Sequence, residues 1–129
     1  MDIEITRRYY ARLTDAELCD CADCRNYIRE IRRAYPKLTA FLDSFGVDIE
    51  KPFEAMPVAP CDGTMTYSGV QYVVMGAPND FRETSIENVR VFLAESHPMT
   101  DIQEQHFVIE IAPVYLKWTG ESHGVDTLI

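Results

Sequence analysis

A chain of 129 residues, 47% hydrophobic and 26% charged, has the size of one domain and can bury a core without obligatory disulfides or metal. Its composition is far from the disordered regime, and no run approaches the roughly 18 uninterrupted apolar residues of a membrane-spanning helix. Of the net charge of −9, residues 1–40 contribute +1 (eight basic, seven acidic side chains), so residues 41–129 carry −10. That acidic two-thirds argues against nucleic acid as a partner, because phosphate neutralisation needs a basic stripe. It suits solubility, or a basic protein partner.

The start, MDIEITRRYY, lacks the apolar core of a secretory signal, which makes the cytoplasm the expected compartment and reduced thiols the expected state of all four cysteines. Its first nine residues alternate, with Ile3, Ile5, Arg7 and Tyr9 on one side, and predict a short half-buried strand. Thr14-Asp15-Ala16-Glu17 fits a capping box and predicts a helix from Asp15. Leu18, Cys21, Cys24, Ile28, Ile31 and Tyr35 then recur at three- and four-residue steps as one apolar stripe, with Arg25, Arg29, Arg32 and Arg33 on the wetter side. Pro36 ends that helix and suits the first turn of another, which carries Leu38, Phe41, Leu42 and Phe45 to a stop at Gly46.

Pro52, Pro57 and Pro60 punctuate an extended stretch in which Val47, Ile49, Phe53, Met56 and Val58 are expected to pin the chain to the core. Cys61-Asp62-Gly63-Thr64 reads as a turn. Three strands are predicted after it: Thr64 to Met75 with a bulge at Gly69, Val89 to Glu95 with Val89, Val91 and Leu93 on one face, and His106 to Trp118. In the last, Phe107, Ile109 and Ile111 share one parity and Val114, Leu116 and Trp118 the other, so Ala112-Pro113 must shift the register or lie at an edge. Residues 119–129 read as a polar tail that frays. The expected architecture is a single α+β domain over residues 1–118: a mostly antiparallel sheet of four to five strands, with a two-helix layer on one face.

The segment ELCDCADCRNY places Cys19, Cys21 and Cys24 within six positions. Zinc takes about four ligands in a tetrahedron, and local cysteine pairs near a helix start can converge on one ion. Zinc is therefore the cofactor this segment suggests, with Cys61, His97 or His106 as candidate fourth ligand. The competing reading is a set of buried thiols. In an unbroken helix from Asp15, Cys21 and Cys24 are small core residues and Cys19 points roughly 160° away from Cys21, so three sulfurs cannot meet. Metal binding by all three requires the helix to begin after Cys19, for instance with Asp20 as its cap. Redox or catalytic thiol chemistry is the third possibility; the acidic neighbours Asp15, Glu17, Asp20 and Asp23 oppose thiolate formation unless a cation is present.

Other constellations are weaker. A thiol–imidazole pair would need Cys24 or Cys61 against His97 or His106. No glycine-rich phosphate loop, nucleophile elbow or HExxH is present. The arginine set reads as a solvated, ion-paired helix face rather than an anion site. The run CDCADCRNYIREIRRAYPKLTAFLDSFGVDIEKPFE, with ESHPMTDIQEQHFVIEI much later, resembles a set of small uncharacterised bacterial proteins that share a Cys-x-Cys-x-x-Cys-x-Asn-aromatic segment. That resemblance implies a bacterial cytoplasmic origin and carries no activity with it.

The residues thus suggest a small non-enzymatic cytoplasmic protein with a structural zinc or a buried thiol cluster, acting through protein contacts. The alternatives are an acidic, immunity-type partner that neutralises a basic protein, and a thiol- or zinc-dependent hydrolase using Cys24 or a bound water with His97 or His106.

Overall fold

The computed structural model describes residues 1–14 and 17–119. Three helices, α1 (Ile3–Arg12), α2 (Ala22–Ala34) and α3 (Pro36–Asp43), precede six strands: β1 (Glu54–Cys61), β2 (Thr64–Met75), β3 (Thr84–Ile86), β4 (Val89–Leu93), β5 (His106–Ala112) and β6 (Val114–Lys117). All pairings are antiparallel, in the order β1-β2-β5-β4-β3 with β6 continuing along β2 below β5. The fold is α+β as expected, with six strands instead of four or five and a third helix. The tail expected to fray lies, from residue 120 onward, outside the described residues. Among the described residues no helix is long and apolar enough to cross a membrane.

The alternating N-terminal segment is a helix and not a strand. Asp2 caps it by accepting the amide of Ile5 at 3.0 Å, and the buried pair is Thr6 and Tyr10, one helical turn apart, while Ile3 and Ile5 stay exposed. Its position explains the choice. β1 accompanies β2 only as far as Gln71, and Phe53 still donates to the Gln71 carbonyl at 2.7 Å. Beyond that point the β2 edge would present unpaired groups, a costly exposure. α1 fills it: the Asp2 amide donates to the Met75 carbonyl (2.8 Å), the Met75 amide to Thr6 Oγ1 (2.9 Å), and the Tyr10 hydroxyl to the Val73 carbonyl (2.7 Å).

β2 and its β5/β6 partner change face together. Val70, Tyr72 and Val74 belong to the core on one side of Ser68-Gly69, Met65 and Tyr67 on the other; opposite them Ile109 and Ile111 give way to Val114 and Leu116 across Ala112-Pro113. Val70 pairs with Ile111 and Tyr67 with Val114, so two residues intervene in each strand and both parities flip in step. On the other flank, Met56 of β1 alone faces Ser68 and Gly69, which makes the expected bulge at Gly69. A side chain at Gly69 would sit 2.6 Å from Glu110 Oε2.

Tyr27 and Ile31 from α2, Leu38 and Leu42 from α3, and Tyr10 from α1 cover this face of the sheet. Each fully buried aliphatic side chain of this size contributes about 1.5–3 kcal/mol by leaving water. The Tyr72 hydroxyl donates to the Ile49 carbonyl at 2.7 Å and meets that of Tyr27, seating α2 on the sheet. α3 ends at Asp43, and the turn after it closes at Gly46 (φ +88°), where the stop was expected. The turn at Asp62-Gly63 has both φ angles positive (53° and 77°), the two-residue hairpin geometry whose twist matches the strands. Two details of the expected strands change: β4 stops at Leu93, which is exposed, and Pro113 divides the last strand into β5 and β6.

Candidate metal centre

The boundary of α2 decides how the cysteines are arranged. Asp15, where a helix was expected to begin, lies outside the described residues. Part of the expected box does form, with Thr14 giving its amide and its hydroxyl to Glu17 Oε1, each at 3.1 Å. Leu18 to Cys21 are nevertheless not helical, and α2 opens only at Ala22. Its cap is Cys21, in extended backbone (φ −66°, ψ 164°), whose sulfur accepts the Cys24 amide at 3.4 Å. A sulfur here does the work usually given to a Ser or Asp oxygen, and Asp20 is not the cap.

Starting after Cys21 removes the geometric obstacle to convergence. The sulfurs of Cys19, Cys21 and Cys24 all lie within 4.8 Å of one another. Around a tetrahedral zinc with Zn–S distances near 2.3 Å, neighbouring sulfurs stand about 3.8 Å apart, so an adjustment of about 1 Å brings the triad to coordination distance. The thiols are not buried hydrophobes either: Cys19 and Cys21 are exposed and Cys24 is half-buried. The buried-thiol reading fails because Cys19 and Cys21 precede the helix and never join its apolar stripe.

Cys19 and Cys24 are shifted in opposite directions. The Cys21 amide, then the thiols of Cys21 and Cys24, donate to Cys19 and lower its pKa. Burial, with further contributions from contacts to Cys19 and Cys21, pushes Cys24 up. The lowered Cys19 thiol stands just before a helix N-terminus, which favours thiolates. A divalent cation would replace the shared protons and let all three sulfurs carry charge.

Several contacts fix the helix start. The Tyr67 hydroxyl donates to the Asp23 carbonyl. Asn26, fully buried, gives its amide to the Lys117 carbonyl (3.1 Å) and accepts from the Thr119 amide (3.0 Å). Arg25 reaches back to the Asp20 carbonyl across the cysteine loop. Beside the sulfurs lies a hollow of about 200 Å³, walled by Leu18 and Ile28 on the helix side and by Pro52, Glu54, Ala55 and Pro57 on the sheet side.

The other candidate ligands lie elsewhere. Cys61 is exposed on the β1–β2 turn, its sulfur 3.8 Å from Asp62 Oδ2. His97 holds the Pro98 carbonyl through Nδ1 at 2.7 Å and lies edge-on to Phe53. His106 uses both ring nitrogens: Nδ1 meets the Glu104 carbonyl and Nε2 the Thr100 hydroxyl, each at 2.7 Å. Because a carbonyl only accepts, a neutral His106 carries its proton on Nδ1 and accepts from Thr100. Neither imidazole lines the hollow beside Cys24, so the thiol–imidazole pair considered from sequence is not assembled there. Arg32 binds Asp48 (3.0 Å) and Glu50, and Arg33 binds Glu30 (2.6 Å), the solvated ion-paired face that was expected.

The sheet-side wall of the hollow beside the sulfurs is what sequence reasoning passed over. Pro57 and Pro60 disguised β1, and only the pairing of β1 with β2 brings Ala55 and Pro57 beside the cysteine loop. No protein-family model, curated protein or solved structure matches this chain. The three-cysteine cluster, compatible with metal binding, is what the geometry establishes.

Proposed function

We propose that this chain is a zinc–thiolate protein in which Cys19, Cys21 and Cys24 hold one zinc ion that organises the loop entering α2. One observation carries the reading: three sulfurs from a six-residue segment converge within 4.8 Å at a helix cap, two of them exposed. Three soft donors favour zinc or copper(I) over hard cations, and zinc fits a site with a tetrahedral demand and no redox task. The ion's role is structural: it would hold the non-helical segment Leu18–Cys21 at the entry to α2.

The test is stabilisation by zinc. A ligand that binds only the folded state, present at 100 times its Kd, adds about 2.7 kcal/mol. Thermal unfolding of the chelator-stripped protein should rise on adding zinc, whereas Cys19→Ser/Cys24→Ser should not respond. A wild-type melting curve that is the same with and without zinc would overturn the proposal.

A further inference from the structure

The face of the sheet away from the helices carries a row of side chains that neither the core nor the zinc reading uses. Glu54, Gln71, Glu110 and Phe92 stand directly opposite one another across β1, β2, β5 and β4, so all four project to the same side. Tyr72, next to Gln71, belongs to the core beneath the helices, which puts the row on the other face. Two adjoining hollows of about 380 and 330 Å³ lie along it and share Met56, Gln71 and Ser96 as walls. Glu95 and Glu110 line the first, Glu54 and His97 the second.

Gln71 is only 3% exposed, and half of its amide lacks a partner. Nε2 donates to the Ser96 carbonyl (2.8 Å) and to Glu110 Oε1 (3.0 Å), whereas Oε1 is buried with no donor among the described residues. Turning the amide over would set oxygen against oxygen, because a carbonyl and a carboxylate only accept. With Nε2 turned to Glu110 on β5, Oε1 lies on the side of the planar amide that faces β1 and the hollow lined by Glu54 and His97. A buried acceptor in this condition is costly and calls for a donor.

We infer that this row binds an organic cation whose ammonium or guanidinium N–H groups donate to Gln71 Oε1 and to the Glu54 carboxylate, with Glu110 and Glu95 adding negative charge along the adjoining hollow. Glu54 is exposed, and the hydrogen bond it makes among the described residues comes from the adjacent Ala55 amide, at a long 3.3 Å. Arg90 also lines the first hollow, but its guanidinium is committed to Glu83 (2.9 Å) and to the Phe92 ring, 4.3 Å from the centroid. Among the described residues the carboxylates of the row do not converge within 4.8 Å as the cysteine sulfurs do, so the row suits a polyatomic cation better than a bare metal ion. Gly69 keeps it open, since a Cβ there would stand 2.6 Å from Glu110 Oε2 and 2.8 Å from Met56 Cε. Met56, unbranched and adaptable, can yield to an incoming group.

The experiment titrates the full chain with agmatine, which carries a guanidinium and an ammonium, and with N-acetyl-arginine amide, the same guanidinium in a peptide frame. Calcium chloride at matched ionic strength is the third arm. The readout is the Gln71 side-chain amide in proton–nitrogen correlation spectra of wild type, Glu54→Gln and Glu4→Gln; both substituted residues are exposed, so both variants should keep the wild-type fold. The inference expects saturable shifts at Gln71 with at least one of the two guanidinium compounds. Affinity should be unchanged in Glu4→Gln, which removes the same charge from α1, and weakened about 5-fold in Glu54→Gln, the upper range for an exposed ion pair. Tighter binding of agmatine would assign the site to a free amine, tighter binding of the peptide form to an arginine side chain of a protein. No shift at Gln71 with either compound, a shift with calcium alone, or equal affinity in Glu54→Gln and wild type would overturn the inference and leave the thiolate site standing.

Discussion

The contact between Tyr27 and Tyr72 makes a prediction whose sign follows from proton counting. The Tyr72 hydroxyl meets the Ile49 carbonyl at 2.7 Å, and a carbonyl can only accept, so Tyr72 spends its single proton there. The Tyr27 hydroxyl must then donate to the Tyr72 oxygen. Both rings are fully buried, and desolvation holds both phenols well above the ordinary tyrosine range, hence neutral. Tyr72→Phe strands two buried groups, the Ile49 carbonyl and the Tyr27 hydroxyl. At about 1–3 kcal/mol for each unsatisfied group the cost is about 2–6 kcal/mol, a large share of the roughly 5–15 kcal/mol typical of a domain. Tyr27→Phe leaves the bond to Ile49 intact and should cost about 0.5–1.5 kcal/mol, the net worth of one hydrogen bond. The double variant strands only the Ile49 carbonyl, so it should be more stable than Tyr72→Phe alone. Urea unfolding at constant m-value measures all three; at about 2 kcal/mol/M a 3 kcal/mol loss moves the midpoint by roughly 1.5 M. A Tyr27→Phe cost equal to that of Tyr72→Phe, or a double variant less stable than Tyr72→Phe, would refute the assigned proton direction.

Gly46 has φ +88°, and a Cβ there would stand 2.6 Å from the Ile3 carbonyl oxygen and 2.9 Å from the Arg7 amide. Gly46→Ala should therefore push α1 from its place on the β2 edge and lower stability by more than about 2 kcal/mol, combining left-handed strain with a backbone clash; a midpoint within error of wild type would contradict that. Glu30, a buried carboxylate, accepts from Arg33 at 2.6 Å and from the Thr119 hydroxyl at 3.0 Å, and the Arg33 hydrogen bond, the largest cause, holds its pKa below the usual value. A carboxyl lowered on folding stabilises fully above its unfolded pKa, about 4.3, and loses that contribution as pH falls through the folded value. Urea midpoints followed from pH 6 to pH 3 should accordingly fall more steeply for wild type than for Glu30→Gln, and parallel profiles would argue against it.

Much of the fold could be read from the residues because several signals agreed. Pro36 and Gly46 bracketed α3, the hydrophobic parity located β2, and the parity break at Ala112-Pro113 marked the point where β5 yields to β6. The failures have particular causes. Ile3 and Ile5 imitate a strand, yet the residues that matter, Asp2 as cap and Thr6 with Tyr10 one turn apart, spell a helix whose purpose is visible only once the bare edge of β2 is known. β1 carries two prolines and was read as an irregular stretch, although an edge strand tolerates them. β3 is three residues long, too short for any periodicity, and turns through Glu87-Asn88, both with positive φ, without the glycine that usually signals such a hairpin.

The candidate site was half legible. Spacing alone posed the question whether Cys19 could meet Cys21 and Cys24, and the answer depended on where α2 begins. Thr14 and Glu17 pointed to a start that Leu18–Cys21 do not follow, because Cys21 itself supplies the cap. The neighbours Ala55 and Pro57 were out of reach of sequence reasoning, since nothing local ties them to residues thirty positions earlier. Their place beside the thiols comes from the register of β1 on β2.

Elemental analysis of protein purified without chelators or affinity tags, with the Cys19→Ser/Cys24→Ser variant alongside, tests the central claim most directly. The account predicts about one zinc per wild-type chain and none in the variant. Metal-free wild-type protein that takes up no zinc on reconstitution, or a variant that retains the metal, would contradict it.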